Sequence, residues 1–164
     1  MKKSFIILCI GLWVGFIFYQ GSRSSEVSIE LSNKIVNKLV TILHDVFPSS
    51  NPVTIYRLIH VLIRKMAHVF EYALLGGGLF FYFRYQKCTT INQWIYTLFI
   101  VLLFATLDEY IQSFIGRTSS VRDVLLDFTG GIIGISSVLF LSKQIKEKPP
   151  LGSSKNPHLS KSDL

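Results

Sequence analysis

Four long apolar tracts constrain this 164-residue chain more than any other feature. They occupy residues 4–19, 66–83, 94–116 and 124–141. Each approaches the roughly 17 to 25 apolar residues that a helix needs to cross the hydrocarbon core of a bilayer. Hydrophobic residues make up 49% of the chain, which is typical of a membrane protein. The sequence therefore predicts an all-α membrane protein with four transmembrane helices in a bundle.

Lys2 and Lys3 stand directly before the first tract, which is also how a cleaved signal peptide begins. The residues that follow it read FYQGSRSS, with bulky side chains where a signal peptidase needs small ones. We therefore expect a retained first helix. The predicted organisation is a first transmembrane helix at 1–20, an extracytoplasmic segment with an amphipathic helix at 21–55, a core with three transmembrane helices at 56–142, and a disordered cytoplasmic tail at 143–164.

The segment between the first two tracts has a helical pattern of apolar residues. Its apolar positions recur at spacings of three and four residues and are Val27, Leu31, Ile35, Leu39 and Ile42. The pattern favours an amphipathic helix, which either lies on the outer membrane surface or packs over the bundle. The tail from Lys143 onward is rich in Pro, Ser and Lys, a composition that cannot bury a core.

Charge indicates the partner and the orientation of the chain. The net charge of +7 accompanies basic residues that flank apolar tracts, and no nucleic-acid-binding motif is present, so anionic lipid headgroups are the expected partner and nucleic acid is not. With the N-terminus inside, nine Lys and Arg residues lie on the inner side and eight on the outer side. The basic start and the lysine-rich tail favour both termini in the cytoplasm.

Five ionisable residues share one face of the helix that contains the second tract. At spacings of three, four, four and three residues, they are Arg57, His60, Arg64, His68 and Glu71. At about 100° per residue they fall within a stripe roughly 80° wide, with Lys65 at its margin. Ionisable groups at membrane depth are costly and normally face the bundle interior or a wet cavity. We expect the stripe to form one wall of an interior polar site.

The ends of the third and fourth tracts supply the opposite wall. The third tract ends with Asp108, Glu109 and Gln112, and Arg117 follows in a short loop. The fourth helix opens with Arg122, Asp123 and Asp127, and Ser119 or Ser120 is the expected N-cap. Alternating helix directions bring these groups and the stripe to the same side of the membrane. Glycine pairs predict tight helix contacts below this layer, at Gly130 with Gly134, at Gly11 with Gly15, and at 76–78.

The same residues allow several chemical interpretations. The charges could pair between helices and do nothing else. His68 could act as a general acid or base, with Glu71 or Asp108 as its partner, but no nucleophile signature such as G-x-S-x-G occurs. A metal on His68 with Glu71 and Asp108 or Glu109 has weak support, because one histidine without H-E-x-x-H is an unspecific pattern. We therefore predict neither a metal nor another cofactor.

Three blocks of the sequence resemble a known family. RKMAHVFEYALLG begins at Arg64, DEYIQSFIGR at Asp108 and DVLLDFTGGIIG at Asp123. Together they are similar to the signature blocks of the VanZ-like family of small bacterial membrane proteins, in which Asn is frequent at the position of Asp127. The resemblance implies a location in the bacterial cytoplasmic membrane. It also implies a link to glycopeptide resistance, since the founding member of the family is associated with low-level resistance to teicoplanin, or to envelope homeostasis, although most relatives have no assigned activity.

These observations lead to one functional hypothesis, in which an outer-leaflet polar cup binds an anionic amphiphile. The ligand classes are a membrane lipid headgroup, a polyprenyl-phosphate envelope precursor and a lipoglycopeptide. The alternatives are an intramembrane enzyme acting on a lipid-linked substrate, with His68, Glu71 and Asp108 as candidate catalytic residues, or a structural subunit. The predicted ligand-binding residues are Arg57, Arg64, Lys65, His68, Glu71, Asp108, Glu109, Gln112, Arg117, Arg122, Asp123 and Asp127.

Overall fold

A computed structural model describes residues 2–22, 36–42, 51–114 and 119–147 of the chain. The elements within these ranges are α1 (Lys2–Gly21), α2 (residues 36–42), α3 (Pro52–Tyr85), α4 (Thr90–Phe114) and α5 (Val121–Glu147). Four of them are long and apolar enough to cross a membrane, namely α1, α3, α4 and α5. The described residues form no strand. The predicted all-α architecture with four transmembrane helices is therefore confirmed.

Helix α3 is one continuous helix of 34 residues. It begins at a standard start signal, since the Asn51 side chain accepts a hydrogen bond from the Val53 N–H at 3.0 Å and Pro52 stands in the first turn. At 1.5 Å per residue α3 is about 51 Å long, whereas the hydrocarbon core is roughly 30 Å thick. The predicted span at 66–83 is thus one part of a longer helix. All residues of the ionisable stripe stand on this single helix.

Helices α3 and α5 touch through their backbones. A Cβ atom built on Gly130 would lie 2.5 Å from the Val69 carbonyl oxygen, and one on Gly134 would collide with the Ala73 carbonyl. On the facing helix, a Cβ on Gly76 would lie 2.5 Å from the Gly131 carbonyl oxygen. Backbone atoms cannot rotate away as side chains can, so only glycine permits this approach. The predicted tight contact at Gly130 and Gly134 is confirmed.

The second predicted glycine contact, at Gly11 and Gly15, is wrong. A Cβ atom on either residue would meet nothing within 4 Å, and both glycines are exposed. Helix α1 instead packs through the opposite face, with Ile17 in the same buried cluster as Tyr72, Val101 and other apolar residues of α3 and α4. Gly78 on α3 also has open space beside it. Close packing therefore belongs to the α3–α5 pair.

The segments outside the four long helices are described only in part. Residues 36–42 of the predicted amphipathic helix are helical, with Val36 buried and Leu39 and Ile42 exposed. The other predicted positions of that helix, Val27, Leu31 and Ile35, lie outside the described residues, as does the tail from 148 to 164. Helix α5 continues to Glu147, five residues beyond the predicted end of the membrane core at 142.

Candidate functional site

Polar residues from α3, α4 and α5 meet at one end of the bundle. Asp127 stands six residues after α5 begins, and Asp108 stands six residues before α4 ends. At 1.5 Å per residue, both carboxylates lie about 9 Å inside their helices. His68 reaches the same level from α3. We call this level, which has His68, Asp108 and Asp127 at its centre, the polar layer.

The centre of the polar layer is an imidazole between two carboxylates. His68 Nδ1 lies 3.8 Å from Asp108 Oδ2 and 3.8 Å from Asp127 Oδ1. The side chains of Asp108 and Asp127 are 0% and 2% exposed, and that of His68 is 16% exposed. Three helices thus each contribute one ionisable group to a site that is nearly sealed from solvent.

The backbone contact between α3 and α5 places two of these three groups. Gly130 packs on Val69, which directly follows His68, and Asp127 stands one turn before Gly130 on the same face of α5. The close approach of the two backbones therefore brings the carboxylate of Asp127 to the imidazole. A side chain larger than hydrogen at Gly130 would push the two groups apart.

Asp108 is held in place by two neighbours. Gln112, one turn later on α4, donates a hydrogen bond from Nε2 to Asp108 Oδ2 at 2.9 Å. Gly21, at the end of α1, lies so close to the Asp108 carboxylate that a Cβ atom there would collide with Oδ1. The position of the carboxylate is therefore determined by its own helix and by a second one.

Near the start of α5, side chains at the edge of the polar layer connect α3, α4 and α5. Lys65 Nζ donates a hydrogen bond to Asp123 Oδ1 at 2.6 Å and forms an ion pair with it. Glu109 Oε2 accepts a hydrogen bond from the Ser120 N–H at 3.0 Å. Ser120 Oγ in turn accepts from the Arg122 N–H at 3.2 Å, so Ser120 is the N-cap of α5, as predicted.

A small cleft opens into the polar layer between α3 and α5. Its volume is about 10 Å³, about the size of one water molecule, and it is lined by Arg64, Lys65, His68, Glu109, Asp123, Leu126 and Asp127. Three of these residues are acidic, and Asp108 lies beside His68. Arg64 and Lys65 are the cations that line the cleft, and Lys65 is paired with Asp123. Cationic and anionic side chains from α3, α4 and α5 thus meet in one cleft.

The structure gathers most of the predicted site residues but not all of them. Arg57 is exposed and stands 11 residues before His68, about 16 Å away along α3. Arg122 contributes its backbone N–H to the cap, and its side chain is exposed. Glu71 is buried on α3 without lining the cleft. Arg117 lies outside the described residues.

The sequence did not predict two contacts that α1 makes with the other helices. Gly21 abuts Asp108, as described above, and Trp13 donates a hydrogen bond from Nε1 to the Glu71 carbonyl oxygen at 3.0 Å. A Trp within an apolar span carries an N–H that requires a partner, which is a signal available from sequence. Nothing in the sequence of α1, however, indicates which helix supplies that partner.

Comparison with known protein families shows that one family model matches most of the chain. The family model described as VanZ/LLP1 matches residues 5–142, which include α3 and α4 in full, most of α1 and α5, and the whole polar layer. No curated protein and no solved structure matches the chain significantly.

Proposed function

This chain belongs to the VanZ/LLP1 family, and we propose that it binds the charged headgroup of an anionic amphiphile at the cleft beside its polar layer. The observation that carries the proposal is the position of Arg64 and Lys65. Both line the cleft near the start of α5, and both are half-buried. A partly desolvated cation attracts an anion more strongly than a cation in water does, whereas the acidic residues of the same cleft, Glu109, Asp123 and Asp127, oppose this attraction.

The cations at the cleft can exchange partners. In the structure Lys65 is paired with Asp123 at 2.6 Å, which stabilises the cleft when no anion is bound. The cleft has to widen to admit a phosphate or carboxylate, because its volume is about 10 Å³. Such a group would then take over the ammonium group of Lys65. Arg64 would add a planar guanidinium, which suits the two oxygens of such a group in bidentate geometry.

The apolar part of such a ligand would lie in the bilayer, because the four long helices are apolar enough to cross a membrane. Leu126 is the apolar residue that lines the cleft itself. Met66 and Phe70, whose side chains are 58% and 62% exposed, stand on the far face of α3, about 160° around the helix from His68.

The test is native mass spectrometry of the protein purified in a mild detergent. We expect an amphiphile of defined mass to co-purify, and its mass distinguishes a phospholipid, a polyprenyl phosphate and a lipoglycopeptide. Arg64→Gln should reduce the bound fraction, whereas Arg57→Gln, which changes an exposed arginine of the same helix, should not. Equal occupancy in the wild type and in Arg64→Gln would refute the proposal. For the lipoglycopeptide class, the wild type but not Arg64→Gln should reduce the teicoplanin susceptibility of a sensitive host.

The geometry of His68 favours a second candidate, an intramembrane enzyme that acts on a lipid-linked substrate. His68 Nδ1 lies 3.8 Å from each of two buried carboxylates, beyond hydrogen-bond distance, and a small side-chain rotation would bring either carboxylate within reach to orient the imidazole as an acid or base. This candidate predicts a bell-shaped pH dependence of turnover and no turnover in His68→Ala. A substrate screen across pH that detects no conversion by the wild type would eliminate it.

A further inference from the structure

The three groups at the centre of the polar layer have the composition of a metal-binding site. His68 Nδ1 and one oxygen each of Asp108 and Asp127 all lie within 4.8 Å of one another. We propose that these three residues bind one divalent transition-metal ion, such as Zn²⁺ or Mn²⁺. One imidazole nitrogen and two carboxylate oxygens form a mixed donor set that these ions accept.

Asp127 supplies an independent observation that indicates a ligand. The residue is 1% exposed, and neither of its carboxylate oxygens accepts a hydrogen bond from any residue that the structure describes. One of these oxygens faces His68 at 3.8 Å, and the residue lines the cleft. A buried carboxylate without hydrogen bonds is costly, because its desolvation is not compensated. An ion bound between it and His68 would provide the missing partner.

The distances agree with a site that closes slightly around an ion. Zinc bonds to nitrogen and oxygen are about 2.0 to 2.2 Å long, so neighbouring donors in a tetrahedral site are about 3.4 Å apart. The two separations from His68 Nδ1 are both 3.8 Å, and the carboxylate oxygens of Asp108 and Asp127 lie within 4.8 Å of each other. Closing the first two by about 0.4 Å and the third by up to about 1.4 Å is within the reach of side-chain rotations. Gln112, whose amide holds Asp108 Oδ2, would orient that ligand as an outer-shell partner.

The charges around the three groups favour a cation over further hydrogen bonds. Asp108 and Asp127 are both buried, and of the two cations that line the cleft, Lys65 is already paired with Asp123 and Arg64 is left to face Asp127 and Glu109. A doubly charged ion would neutralise the two carboxylates. The competing arrangement is a protonated His68 between the two carboxylates, and it predicts no metal binding.

Calorimetric titration of the tag-free, chelator-treated protein with Zn²⁺ alone tests the site. We expect one ion per chain in the wild type and at least a tenfold loss of affinity in Asp127→Asn, which keeps the shape of the side chain and removes its charge. Glu147→Gln is the matched control, because it neutralises a carboxylate of the same helix 20 residues after Asp127, about 30 Å further along α5. The Zn²⁺ affinity of this control variant should stay within about threefold of the wild-type value, since only a long-range charge is lost.

A second measurement on the wild type protects the test against variants that fail to fold. With Mn²⁺ as the probe, pulsed electron paramagnetic resonance should detect the nuclear coupling of one imidazole nitrogen. No stoichiometric ion in the wild type, equal affinity in Asp127→Asn, or bound Mn²⁺ without nitrogen coupling would each overturn the proposal. Both experiments use the metal without lipid ligand, so their outcome is separate from that of the proposed amphiphile binding.

Discussion

The backbone contact between α3 and α5 predicts that a single added methyl group lowers the stability of the fold. In Gly130→Ala the new Cβ would lie 2.5 Å from the Val69 carbonyl oxygen, against an ordinary contact of 3.4 Å or more. The helices would have to separate by about 0.9 Å, because neither partner can rotate away. Overpacking of this kind costs about 1 to 3 kcal/mol. The separation would also carry Asp127 away from His68, which it now approaches to 3.8 Å.

Gly15→Ala is the matched control for this substitution. It adds the same methyl group to a helix in the same protein, but the Cβ would meet nothing within 4 Å. The higher helix propensity of Ala then leads us to expect unchanged stability or a gain of up to about 1 kcal/mol. The assay is unfolding of each purified variant in mixed micelles of increasing dodecyl sulfate content, followed by far-ultraviolet circular dichroism. If Gly130→Ala unfolds at the same midpoint as Gly15→Ala, the inferred backbone contact is wrong.

Three further predictions concern single hydrogen bonds and one ion pair, and the same unfolding assay measures them. Trp13→Phe removes the donor to the Glu71 carbonyl oxygen and should cost about 1 kcal/mol, whereas an unchanged midpoint would show that the bond contributes nothing. Ser120→Ala removes the N-cap of α5 and should also cost about 1 kcal/mol, with Ser120→Thr as the conservative variant that retains most of the cap. Exchanging charges in Lys65→Asp with Asp123→Lys should recover about 0.5 kcal/mol relative to the single variants, since the lysine side chain is 43% exposed and solvent screens the pair. If this charge exchange also restores function in cells, the two charges serve only to hold the helices together. If the exchanged variant folds but does not function, the result argues for a bound ligand.

Several properties of the protein follow from local sequence patterns. The four apolar tracts predict the four long helices because the length and composition of a span are determined within the span itself. The stripe from Arg57 to Glu71 is on one helix because its spacing of three and four residues is a property of the helical repeat. The cap at Ser120 is equally local, since it needs only a hydroxyl before the first turn.

Other features depend on how far each helix is rotated and which helix it touches. The ionisable stripe contains Arg57, His68 and Glu71 on the same face, yet only His68 meets Asp108 and Asp127. Similarly, Gly130 and Gly11 each begin a GxxxG pattern, but only the first contacts another backbone.

The sequence by itself determined a four-helix membrane protein with ionisable groups concentrated near one end. Only the tertiary structure decided that an imidazole and two buried carboxylates from three helices form its centre, with the end of α1 packed against one of them. The physical reason is that helical periodicity specifies which residues share a face, whereas the partner of that face depends on backbone contacts between residues far apart in the chain. In this protein the contact of Gly130 with Val69 sets the distance between Asp127 and His68.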